Sequence, residues 1–169
     1  TMVMRFTPNA LLYLCRLLRK ESGVHFVVNK SGGYTQVLTW GVDRKKLFFD
    51  LTMSLAIGST KVLTAHAYGL RDRRVLDEFH ITDAKNLPVV EAGQLQRLSE
   101  RLLKVHSGKV EPEGNWDLKY DVLMKAIPVN VRHHEAASEA HTAIEVIAAD
   151  RKGLLCTLAK VISEAGLNL

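Results

Sequence analysis

Two short polar turns carry the residues best suited to chemistry in this 169-residue chain. Asp150-Arg151-Lys152-Gly153 precedes Leu154, Leu155, Leu158, Val161, Ile162 and Ala165, which recur at helical spacing until Gly166 stops them as a left-handed cap. A glycine at the first turn of a helix leaves outward-pointing backbone N–H groups and lets a ligand approach them closely. Such a turn can capture a small anion, for example the carboxylate of an amino acid. Asp43-Arg44-Lys45-Lys46 stands in the same place before Leu47, Phe48, Leu51 and Leu55. There Lys46 replaces the glycine, and its side chain is expected to crowd the approach. The first turn is then either structural or suited to a more anionic ligand.

Each of these residues also has a plainer role. Gly153 can be a helix-packing glycine, and Asp150 can be the cap of the helix whether or not a ligand binds. Asn168 has an amide that both donates and accepts, so it can read a ligand or simply end a strand. Lys61 answers it in the first copy, one position aside from the glycine register. Cys15 and Cys156 sit in helical patterns without metal spacing and read as buried thiols of a cytosolic protein. His133, His134 and His141 lack a supporting cluster, so no metal site is expected.

The elements that position the turns follow from periodicity. Thr7-Pro8 starts a helix that runs to about Ser22-Gly23. Residues 24–29 and 35–41 read as a strand pair, and the first turn and its helix follow, ended by Gly58-Ser59. Residues 60–68 and 74–82 form a second pair around a turn bearing Arg71, Arg73 and Arg74, read as solvated. Leu95, Leu98, Leu102, Leu103 and Val105 mark an amphipathic helix. After a mixed stretch, residues 128–134 and 143–148 are strands, and the second turn, its helix and a strand starting at Leu167 close the chain.

The order strand, hairpin, strand, Asp-Arg-Lys turn, helix, strand therefore occurs twice. It implies an α+β fold of ferredoxin-like βαββαβ type, with helices on one face of an antiparallel sheet. One copy is near-complete and the second truncated. The expected units are a lead-in helix (1–22), a first domain (23–107), a linker (108–127) and a truncated second domain (128–169). The second copy is expected to be the less protected one unless it docks on the first. At 47% apolar residues the chain can bury a core, and its +5 charge reads as a basic surface. No run reaches membrane-spanning length.

The second turn resembles the D-R-P-G-L-L turn of ACT domains, small modules that bind amino acids and regulate enzymes. Gly166-Leu167-Asn168-Leu169 is similar to their G-I/L-N-I/L strand start. Residues 135–146 (EAASEAHTAIEV) are similar to N-E-A-S-D-T-H-T-V-I-E-V, which precedes the last ACT domain of the bifunctional uridylyltransferase/uridylyl-removing enzymes of nitrogen control. Leu76-Asp77-Glu78-Phe79 also fits that region. Lysine replaces the turn's proline in both copies, at Lys45 and Lys152.

The resemblance implies an amino-acid-sensing region, with glutamine as ligand, that controls uridylylation of the PII signal protein. It implies ligand contacts at Asp150, Arg151, Lys152, Gly153, Leu154 and Asn168. A degenerate site is implied at Asp43, Arg44, Lys45, Lys46 and Lys61. Expected partners are the amino acid, the catalytic domains of a parent enzyme, PII through that parent, and paired ACT domains, in the cytoplasm and without a membrane. No G-S-x-x-R-x-D turn or His-Asp dipeptide occurs, so no catalytic residue and no cofactor is expected here; magnesium would belong to the parent's catalytic domains. The alternative is an RNA-binding ferredoxin-like module, with Trp40 and Phe79 as the aromatics on its central strands.

Overall fold

The computed structural model describes residues 7–108, 128–134, 143–151 and 153–167. Lys152, Asn168, the stretch 109–127 of the expected linker and the matching motif at 135–142 lie outside them. The elements in order are α1 (Pro8–Leu17), β1 (Gly23–Asn29), β2 (Tyr34–Val42), α2 (Leu47–Ile57), β3 (Lys61–Gly69), β4 (Arg74–Thr82), α3 (Ala92–His106), β5 (Asn130–His134), β6 (Ala143–Ile147) and α4 (Leu154–Glu164).

Strands β1 to β4 form one antiparallel sheet in the order β1-β2-β4-β3; β5 and β6 form a separate antiparallel pair. Within β2-α2-β3-β4-α3 the strand order is that of a ferredoxin-like unit. The edge place that its last strand would take, beside β2, is filled by β1, which precedes the unit in the chain.

The alternation of side chains along β2 and β4 builds two cores. On one face Val37, Phe79 and Ile81 meet Leu51 and Leu55 of α2 and Leu98 and Leu102 of α3. On the other face Leu38, Trp40 and Leu76 meet Leu14 and Leu17 of α1. The two helices of the repeat share one face, as expected, and the lead-in helix covers the opposite one. Its start is the predicted one: Thr7 Oγ1 accepts from the Ala10 amide at 3.3 Å, with proline at the first helical position. Its end is tied down by Arg74, whose Nη1 donates to the carbonyls of Leu18 at 2.8 Å and Lys20 at 2.9 Å. Arg74 is therefore a clamp between hairpin and helix rather than part of a solvated turn.

The second copy docks on the first through α4, which lies on α2 and buries Cys156 and Ala159. The two helices end alike. Gly166 is left-handed, with the Leu167 amide bonded to the Ile162 carbonyl at 3.1 Å. In α2 the left-handed residue is Ser59, not Gly58, and the Thr60 amide reaches the Leu55 carbonyl. The spacing that relates Ser59 to Gly166 also relates Lys46 to Gly153 and Lys61 to Asn168. The two copies are thus in strict register, and the apparent offset of Lys61 came from taking Gly58 as the cap.

Close packing makes one glycine of β1 testable. A Cβ on Gly23 would lie 2.2 Å from the Trp40 ring, whereas one on Gly69 would meet nothing within 4 Å. Gly23→Ala is expected to cost about 1–3 kcal/mol, read as a lower urea midpoint. Gly69→Ala should stay within about 0.5 kcal/mol of the parent.

Candidate functional site

Both turns start their helices with a left-handed residue. Gly153 (φ 77°) precedes α4 and Lys46 (φ 64°) precedes α2, and neither helix has a side-chain cap. Asp150 is exposed and does not cap α4, so the plainer role open to it is not the one it plays. For a residue with a Cβ the left-handed region costs about 1–2 kcal/mol. Glycine at 153 is therefore favoured by the backbone conformation. Alanine at 153 would sit outside the helix proper and bear that strain.

The first turns of α4 are closed by the Thr157 amide and Oγ1, both donating to the Gly153 carbonyl at 2.9 and 3.0 Å. Without an acidic residue in its first turn, α4 presents its dipole with no internal anion. Asp150, Arg151, Gly153 and Leu154 line a cavity of about 230 Å³. Its opposite wall belongs to the first copy: Thr52 and Ala56 of α2, and Thr60 and Val62 beyond it. Cys156 also lines it, and burial pushes its thiol up to about 11.

The first turn is arranged differently. Arg44 is committed internally: Nη2 meets Asp50 Oδ2 at 2.6 Å and the Val105 carbonyl at 3.1 Å, and Nη1 meets the Lys45 carbonyl at 3.1 Å. It pins the turn to the first turn of α2 and the end of α3. Lys61 donates to Asn86 Oδ1 at 2.8 Å. Asp43, Arg44 and Lys46 line a cavity of about 30 Å³, closed on the far side by Ala159, Ser163 and Leu167 of the second copy. The two cavities lie at opposite ends of the α2–α4 contact.

One residue of the first cavity carries no emphasis in the sequence reading. Asp77 on β4 is 1% exposed, and its Oδ2 has no hydrogen-bond partner among the described residues. Burial pushes its carboxyl up to about 8, and the charge of Asp43 adds to the shift. The signal was available: Val75, Asp77, Phe79 and Ile81 alternate onto one strand face, so a carboxylate stands in an inward row. Nearby, His106 Nε2 meets Thr39 Oγ1 at 2.6 Å while its Nδ1 lies over Gly41, where a Cβ would be 2.5 Å away. Burial, and then the charge of Arg44, holds this imidazole down to about 4.

Trp40 and Phe79 are buried, at 2% and 0% exposure, so neither is on a face where a base could stack. Among the described residues no three His, Cys, Asp or Glu side chains group as metal ligands, and no helix is long and apolar enough to cross a membrane.

No family model matches the chain, and no solved structure matches it. Among curated proteins it is similar to the bifunctional uridylyltransferase/uridylyl-removing enzyme of Phenylobacterium zucineum, 32% identical over 139 residues. That match covers 79% of this chain and 15% of the relative. The same enzyme of Gluconobacter oxydans is 30% identical over 143 residues, covering 81% of the chain and 15% of the relative. That of Aliivibrio fischeri is 25% identical over 167 residues, covering 93% and 18%.

The buried pair sets a pH dependence. An aspartate ionises near 3.8 in an unfolded chain and near 8 at position 77 in the fold. Asp77 therefore supports folding fully below pH 3.8, and its contribution is lost as pH rises to about 8. His106 works in the other direction: its contribution is complete above 6.5 and is lost as pH falls towards about 4. Asp77→Asn should gain stability relative to the parent steadily from pH 4 to pH 8 and no further above it. Matching urea midpoints for both proteins across that window would refute the assignment.

Proposed function

Since the chain belongs to the family of bifunctional uridylyltransferase/uridylyl-removing enzymes, spanning about 15% of the length of the relatives it matches, we propose that it is their amino-acid-sensing ACT region, with glutamine as ligand. In such an enzyme it would control uridylylation and deuridylylation of the PII protein. The observation that carries the reading is the cavity of about 230 Å³ at the Gly153 turn, walled by both copies.

The amino acid would set its α-carboxylate at the backbone N–H of Gly153, beside the Leu154 amide that is already given to the Arg151 carbonyl at 3.1 Å. The helix dipole favours that charge by about 0.3–1 kcal/mol where exposed. Glycine at 153 supplies the left-handed backbone and keeps the approach open. Asn168 would read the ligand's polar groups. Because Thr52, Ala56 and Thr60 form the opposite wall, a ligand there would touch both copies. Its binding would then favour one arrangement of α4 on α2 over another, which is how it would signal to catalytic domains.

The first copy already holds a lysine in the left-handed conformation at the equivalent place. Gly153→Lys is therefore a substitution the turn can adopt, at a cost of about 1–2 kcal/mol. In a full-length enzyme carrying this region, glutamine is titrated against the rates of uridylyl transfer and removal. The variant should keep both activities and lose most of the glutamine response. An unchanged response in a folded variant would mean that this turn is not the sensor.

A further inference from the structure

The geometry points to a second binding site, in the first copy, that takes a primary ammonium group between Asp77 and Asp43. The site is the cavity at the start of the 11-residue helix α2. Three observations define what fits. The carboxyl of Asp77 lines it, is 1% exposed, and has an Oδ2 without a partner among the described residues. A buried carboxyl oxygen left without a donor costs stability, so the position calls for a donor from outside. Asp43 lines the same cavity, close enough for its charge to act on Asp77.

The cation nearest to them does not serve. Arg44 gives its Nη atoms to Asp50, the Val105 carbonyl and the Lys45 carbonyl, and its buried Nε, without an acceptor among the described residues, does not reach Asp77. Lys46 is exposed. His106 reaches Thr39, the cross-strand neighbour of Asp77, and burial keeps it neutral. An anion in the cavity would face the Asp43 carboxylate. A cation instead pairs with Asp43 and with the carboxylate that Asp77 forms as pH rises towards 8.

Size and donor geometry select among cations. About 30 Å³ is enough for one small group, or two at most, the size of a water molecule. The oxygen-bearing side chains of the wall are Asp43, Asp77 and, from α4, Ser163. Their five oxygens, two on each carboxyl and one hydroxyl, fall short of the six-oxygen shell that hard metal cations prefer. They suit an ion that spends one N–H on each of several separate acceptors. A free ammonium ion fits whole. The amino group of a larger amine would enter with the rest of the molecule outside. Because Ser163 and Leu167 close the cavity, occupancy would also fasten α4 to α2, at the end of their contact away from Gly153.

Asp77 must give up its proton to hold the cation, so binding should strengthen as pH rises towards 8. The test is thermal unfolding and calorimetry of the chain at equal ionic strength in ammonium, methylammonium, sodium and tetramethylammonium chlorides, at pH 6 and pH 8. A fifth arm uses glutamine with the Gly153→Lys variant, so that the Gly153 turn does not contribute. Expected is a rise in melting temperature in ammonium over sodium and tetramethylammonium, larger at pH 8. Asp77→Asn should remove it, and the exposed Asp43→Asn should weaken ammonium binding on the order of tenfold. A glutamine or methylammonium shift that depends on Asp77 would identify the amino head of a larger molecule as the source; a shift with ammonium alone would identify the free ion. Equal shifts in all four salts, or an ammonium shift that survives in both aspartate variants, would overturn the proposal and leave an ordinary water site.

Discussion

Strands β2 and β4 are covered on both faces, and the rest of the molecule is arranged to keep them so. Each strand sends alternate side chains to two cores, one under α2 and α3 and one under α1. A one-residue slip of either strand would exchange Val37 for Leu38 and Phe79 for Glu78 or His80. The register Val37↔Phe79 and Trp40↔Leu76 is therefore held from both sides. Apolar burial contributes about 25 cal/mol per Å², and the two cores bring that contribution from both faces of the same strands. This double coverage also explains why a helix outside the repeat, α1, is needed. Without it Leu38, Trp40 and Leu76 would face water.

The same double coverage leaves polar groups in places where they cannot reach solvent. Asp77 lies in the inward row of β4, and Thr39 and His106 meet beside it. Arg44 and Asp50 form a partly buried pair, 2.6 Å apart, whose further bonds reach α3. A buried pair of this kind is weak evidence for net stability, because desolvation opposes the attraction. What it does fix is position: the first turn, α2 and the end of α3 share one guanidinium.

That pinning separates the two copies of an otherwise repeated motif. Both helices begin at a left-handed residue and end at another, at the same spacing. The residues filling those places differ: Lys46 and Ser59 in the first copy, Gly153 and Gly166 in the second. In the second copy Thr157 occupies the place of Asp50 and turns back onto its own helix. The first turn is thus locked to the core around a water-sized cavity, whereas the second opens onto a larger one formed with its neighbour.

The features legible in the sequence were the local ones. Thr7-Pro8, the two Asp-Arg-Lys turns, the cap at Gly166 and the alternation along β2 and β4 depend on backbone conformation and period, which neighbouring residues settle among themselves. So the α+β class, the internal repeat and the turn that heads α4 could be read directly, and the family resemblance rested on the same short segments. Three features needed the tertiary structure: β1 at the sheet edge, α1 on the opposite face, and α4 laid on α2. Each is a choice of which surface to cover, made by elements far apart in the chain, and no local spacing encodes it. The same holds for the cavities and for Asp77. Its inward place is written in the strand period, but only packing decides that α2 and α4 close over it, and that closure is what changes the chemistry of its carboxyl.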